Sequence, residues 1–127
     1  MKIENIKFKA KRLDNGEWCE GYFYEENGNT YIIENRQKES MLNRNITHQV
    51  DSKTVCQFTG LKDCEGNEIW EGDIIKDPYL GVERIIEWNN HLCCFNALDE
   101  INSSQHLLGA PVRSLGWYVI GNKFDNK

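Results

Sequence analysis

No apolar run in this 127-residue chain approaches the roughly 20 residues that a membrane-spanning helix needs, so a helical membrane anchor is excluded. The opening MKIENIKFKAKR also lacks the apolar core of a signal peptide, because Lys and Glu interrupt it at every second or third position. A cytoplasmic protein with no membrane partner is the expectation. Cysteine is present, but not in a pattern that forms a disulfide framework. The count is five, no pair shows C-x-x-C spacing, and Cys93 and Cys94 are adjacent. Reduced thiols acting as small apolar residues are the expectation. There is no glycine-rich phosphate loop, no nucleophile elbow and no H-x-E deaminase pattern, so the sequence carries no enzyme signature. Repeats, low-complexity segments and interdomain linkers are absent too, which predicts one domain over 1–127.

What is present suits a folded core. Apolar residues make up 39 % of the chain and aromatics 11 %. A domain of this length buries about two-thirds of its unfolded surface. Charge is uneven: residues 1–50 hold eight Lys or Arg against eight Asp or Glu, and residues 51–127 hold seven against twelve. The second part therefore carries the whole net charge of −5 and repels phosphate backbones at long range.

The dominant period is two. Apolar and basic residues alternate from Ile6 to Lys11, and Asp14-Asn15-Gly16 is a hairpin turn signal. A return strand spans Trp18 to Tyr24, with Trp18, Tyr22 and Tyr24 on one face. Asn27-Gly28-Asn29 turns into a third strand, Thr30 to Ile33, completing a meander over residues 6–34. Arg36 to Val50 reads as an irregular connection with strand pieces near Met41-Leu42 and His48-Val50. Further strands are expected at Val55–Phe58, Asp73–Lys76, Val82–Trp88, Leu92–Phe95 and Gly116–Ile120, the last closed by Gly121-Asn122. Only Asn96 to Leu108 has helical spacing, through Leu98, Ile101 and Leu108. The expected fold is mainly β with one short helix: an N-terminal antiparallel meander over 1–50 packed on a small SH3-like or barrel-like C-terminal sheet over 51–127.

Few residues offer chemistry. Asp63-Cys64-Glu65-Gly66-Asn67 has too few alternate carboxylates for a calcium loop and reads as a turn with Gly66 at positive φ. Glu71-Gly72-Asp73 reads as a corner: Gly72 bends the chain and Asp73 accepts backbone N–H bonds. His91, Cys93 and Cys94, with Cys56 or Cys64, form one metal-ligand pair at best, where zinc needs two. No metal and no cofactor is expected. His48 and His106 read as isolated surface residues. Lys7, Lys9 and Lys11 form a basic row that either blocks an exposed sheet edge or contacts nucleic acid, with Trp18, Tyr22 and Tyr24 as stacking surfaces.

The run from Thr59 to Ile75, TGLKDCEGNEIWEGDII, resembles the T-G-L-x-D-x-x-G-x-E-I-x-E-G-D-I signature of the YopX-like proteins of bacteriophages and prophages. Lys7-Phe8-Lys9-Ala10-Lys11 resembles that family's K-F-R-A-W opening, with Lys11 replacing the aromatic. Glu17-Trp18 to Tyr22-Phe23 resembles its W-x-x-G-Y strand, Val82 to Trp88 its G-x-V-x-W strand, and Tyr118-Val119-Ile120-Gly121-Asn122 its closing E-V-I-G-N. The resemblance implies a mainly β protein of phage or prophage origin with no assigned activity. The expected function is a non-enzymatic interaction or accessory module acting on a host or phage protein. A single-stranded nucleic-acid binder ranks second and a small metal-dependent hydrolase third. The aromatic face of Trp18, Tyr22 and Tyr24 predicts a homo-oligomer.

Overall fold

The computed structural model describes residues 2–35, 45–90, 94–99, 104–107 and 116–125. Its fold is mainly β, made of antiparallel ladders, and divides into two compact units, residues 1–57 and 58–127.

The first unit is a meander of β1 (Phe8–Lys11), β2 (Trp18–Glu26), β3 (Asn29–Asn35) and β4 (Asn45–Val50). Its hairpin turns follow the sequence signals, with Asn27 and Gly28 at φ +53° and +80°. β2 changes partner part-way: Trp18 to Gly21 pair with β1, and Tyr22 to Glu26 pair with β3. Gly21 stands at the changeover, where a Cβ would lie 1.9 Å from the Ile33 carbonyl oxygen. Only glycine allows the two backbones to approach so closely. Alternation sends Ala10, Cys19, Ile32 and Val50 into a core that Phe8 and Val55 flank. The end of β4 curls back onto the chain beyond β1. Arg12 bridges Val50, and the Leu13 N–H bonds the Gln49 carbonyl.

A single 3₁₀ turn, Ser52–Thr54, leads into β5 (Cys56–Lys62). Asp51 caps that turn through the Lys53 N–H, and Thr54 Oγ1 accepts the Lys11 N–H at 2.9 Å. The first residues of β5, Cys56 and Gln57, pair with β1.

In the second unit, the rest of β5 pairs with β6 (Glu68–Trp70). A five-stranded sheet follows in the order β10-β9-β8-β7-β11, comprising β7 (Asp73–Asp77), β8 (Val82–Asn89), β9 (Cys94–Asp99), β10 (Ser104–Leu107) and β11 (Tyr118–Asn122). Ile75, Ile86 and Ala97 project from one sheet face and join Ile69 and Trp117 in a core. The faces of β8 follow the alternation, with Arg84 and Ile86 buried and Glu83 exposed.

Several expectations are corrected. The helix over Asn96–Leu108 does not form. Residues 94–98 pair with β8 in five consecutive registers, and Ser104–Leu107 pair back onto β9. Phe95 and Ala97 thus use the period of two, while residues 100–103 and Leu108 of the expected helix fall outside the described residues. The C-terminal sheet is not a closed barrel, since β10 and β11 form its two edges. The strand piece expected at His48-Val50 is present and runs longer, from Asn45 to Val50, while Met41-Leu42 falls outside the described residues. Gly121 and Asn122 lie within β11 instead of closing it.

Candidate functional face and the signature corner

In the first unit, the faces of β1 and β2 bring the lysine row and the aromatics together. Lys9 pairs with Glu20 and Lys11 with Trp18 across the ladder. The Lys9 and Lys11 ammonium groups lie 4.6 and 5.1 Å from the centre of the Trp18 ring, and Lys7 reaches Glu20 at 3.2 Å. Further along the same face, Tyr24 stacks on Tyr31 with ring centres 5.0 Å apart and planes at 20°. Tyr22 and Tyr24 retain 45 % and 36 % of their exposure. The lysines do not guard a sheet edge, because β1 is paired on both sides, by β2 and β5. They lie on a face, where each ammonium meets an aromatic ring or a carboxylate.

The opposite, inward face of this unit carries a polar cluster that sequence reading missed. His48 is not an isolated surface residue. Its Nε2 meets Glu34 Oε2 at 2.8 Å, from the strand next to its own. Arg12 makes two bonds to Asp14, at 3.0 and 2.6 Å, and this pair lines a cleft of about 410 Å³ with Leu13, Thr47, His48 and Gln49. The Arg12 guanidinium holds the Asp14 carboxyl below its usual range. Cys19 lies within the reach of these charges. Burial, then the Glu34 charge, push its thiol up to about 11, and Sγ donates to the Ala10 carbonyl at 3.5 Å. A thiol so protonated is a poor nucleophile.

The signature run builds a corner in the second unit. Asp63 is buried and accepts the N–H groups of Glu65 and Asn67 within its own turn, at 2.9 and 2.8 Å, and that of Val119 on β11 at 2.9 Å. Burial raises the Asp63 pKa, but these donors outweigh it and the carboxyl titrates below its ordinary value. Gly66 takes φ +85° and Gly72 φ +84°. Asp73 accepts the Trp70 N–H at 2.7 Å and the Asn122 side-chain amide at 2.9 Å. The Gly72 carbonyl takes the Lys123 N–H, and the Gly72 N–H bonds Ile86 O. Asp63 and Asp73, with Gly72 and Asn122, thus tie the signature turn and corner to the closing strand. Both carboxylates accept N–H donors from the turn, the corner or β11.

Two further buried charges, Asp77 and Arg84, stand 3.9 Å apart. Asp77 Oδ1 accepts the Tyr79 and Leu80 N–H groups, so the β7–β8 turn is fixed while both side chains remain exposed. Alternation puts Arg84 on the same buried face of β8 as Ile86. Its guanidinium lies 5.0 Å from the centre of the buried Trp117 ring. His91 and Cys93 fall outside the described residues, as does the side chain of His106. Cys94 is half-buried and Cys64 exposed. Among the described residues, no three His, Cys, Asp or Glu side chains converge on a point that could hold a metal ion. Nor does any described helix have the length and apolarity to cross a membrane.

Fold and corner together define a small mainly β protein of antiparallel ladders whose most distinctive sequence run ties a turn and a corner to the closing strand. The chain belongs to the YopX protein family, whose pattern matches residues 7–127. No curated protein matches it.

Proposed function

We propose that this protein is a non-enzymatic interaction module that engages a protein partner through the outer face of β1, β2 and β3. The observation that carries the reading is the company of exposed Tyr22 and Tyr24 on a regular, paired sheet surface, flanked by lysines. Exposed aromatics held on a rigid strand face supply contact area at low entropic cost and are enriched at interfaces. Cytoplasmic location and an accessory role in a phage or host process belong to the same proposal.

A second reading has its own support. The Tyr24–Tyr31 stack beside a basic row is the kind of platform on which single-stranded nucleic acid stacks. Against it, both Lys9 and Lys11 already lie over the Trp18 ring, and the chain as a whole is acidic. One experiment separates the two. A photo-crosslinking phenylalanine analogue is placed at Tyr22, or at Glu83 in the second unit as a control, and irradiated in the producing cell. Discrete protein adducts at position 22 and none at 83 are the expected result. Adducts to nucleic acid alone would establish the second reading, and equal labelling at both positions would refute a dedicated face.

A further inference from the structure

We infer that the partner of this face is a second copy of the same chain, docked about a two-fold axis through the Tyr24–Tyr31 stack; the inference rests on the interaction-module reading above. The surface is complementary in charge to its own copy. Alternation along β2 places Tyr22, Tyr24 and Glu26 on the outer face, and the ladder adds Tyr31 and Ile33 from β3. All five belong to the part of β2 and β3 beyond the partner change at Gly21, so they share one continuous two-stranded surface.

The ends of this surface differ in sign. Phe8 pairs with Gly21, and Lys7, one residue before it, bridges Glu20 at 3.2 Å, which puts it on the outer face at the end where β2 meets β1. Lys9 and Lys11 continue the basic end. The other end, before the Asn27-Gly28 turn, carries the exposed Glu26. A surface that is basic at one end, aromatic in the middle and acidic at the other matches its own copy turned through a half rotation. Tyr22 and Glu26 are four residues apart, roughly 13 Å of extended strand. An axis midway between them, at Tyr24, sets Lys7 of each copy against Glu26 of the other. The four tyrosines of the paired Tyr24–Tyr31 stacks then meet at the centre. Sheets packed face to face bury such side chains in a layer about 10 Å thick.

The test uses the full chain and charge reversal. Light scattering after size exclusion at micromolar concentration should give twice the chain mass of 14.9 kDa for the wild type. Lys7→Glu and Glu26→Lys should each dissociate toward monomer, since each homodimer then contains two like-charge contacts. A mixture of the two variants should recover the dimer, because each opposes the other's charge at both ends. An affinity-tagged Lys7→Glu chain would retain untagged Glu26→Lys but not untagged Lys7→Glu. Circular dichroism of each single variant confirms that the fold is kept, and recovery on mixing is a gain that misfolding cannot produce. A wild-type monomer overturns the inference but leaves a different protein partner open, which the crosslinks at position 22 would still report. A dimer that persists in both single variants places the contact elsewhere and also overturns it.

Discussion

Single residues that govern this fold are those whose side chain, or lack of one, meets backbone. Gly21 is the sharpest case, since its φ is ordinary and only the space is exceptional: an added Cβ would stand 1.9 Å from Ile33 O. Gly21→Ala must push β2 and β3 apart where β2 changes partner, a cost of about 1–3 kcal/mol by the measure of other overpacked sites. A urea denaturation midpoint unchanged from wild type would contradict the close approach. Asp63 acts through hydrogen bonds instead. Its folded carboxyl titrates below the ordinary 3.8, because N–H donors from Val119, Asn67 and Glu65 outweigh the effect of burial. The sign follows from linkage. Above the unfolded value the group is ionised in both states and its stabilisation is fully present. As pH falls below about 4 the unfolded chain takes up the proton first, and stability drains away toward the folded pKa. Asp63→Asn should therefore lose about 1–3 kcal/mol at neutral pH. Its stability should also fall less steeply than wild type's below about pH 4. Parallel curves for the two proteins would show that Asp63 contributes nothing to the acid limb.

Elements were legible in the sequence to the extent that their cause is local. Alternation of Lys7 to Lys11 against the core, the Asn27-Gly28 turn and the strand from Val82 onward follow from one-face burial and positive φ, both written in neighbouring residues. The strand at Cys94–Asp99 begins within the expected Leu92–Phe95 strand and runs on through Asn96–Asp99, where pairing with β8 outranks the weak helical spacing. Gly21, the His48–Glu34 pair and the Asp63–Val119 bond depend on chain that is distant in sequence, so no local pattern announces them. The two signature glycines let local and distant causes be separated. Gly66 has φ +85° with nothing within 4 Å of an added Cβ, whereas at Gly72, with φ +84°, that atom would lie 3.3 Å from the Asn122 amide nitrogen. Gly66→Ala should cost only the left-handed backbone penalty, about 1–2 kcal/mol. Gly72→Ala should cost more, since it also crowds the Asn122 amide that bonds Asp73. Pairing Gly72→Ala with Asn122→Ala should relieve part of that excess, because contacting sites couple. Strict additivity in denaturation free energies, or equal costs at the two glycines, would remove Asn122 from the corner.

For the molecule as a whole, cysteines distributed through the chain report how it opens. Cys19 and Cys56 are buried in the first unit, and their thiols donate to the Ala10 and Thr54 carbonyls at 3.5 and 3.2 Å. Cys64 in the second unit is exposed. Burial also holds the Cys19 thiol protonated, with its pKa pushed up to about 11, so exposure and thiolate fraction act in the same direction. A thiol reagent at neutral pH should modify Cys64 at close to the rate of an unfolded chain. Cys19 should react only when the sheet around Ala10, Ile32 and Val50 opens. Cys56, held at the β1–β5 pairing of the same unit, should follow it. If the first unit opens cooperatively, the two buried thiols acquire label at one common rate, and Gly21→Ala raises both together while leaving Cys64 unchanged. Peptide mapping after timed labelling measures each site separately. Cys19 reacting as fast as Cys64 would show that its burial does not persist in solution, and Cys19 and Cys56 diverging under Gly21→Ala would show that β5 opens independently of the meander.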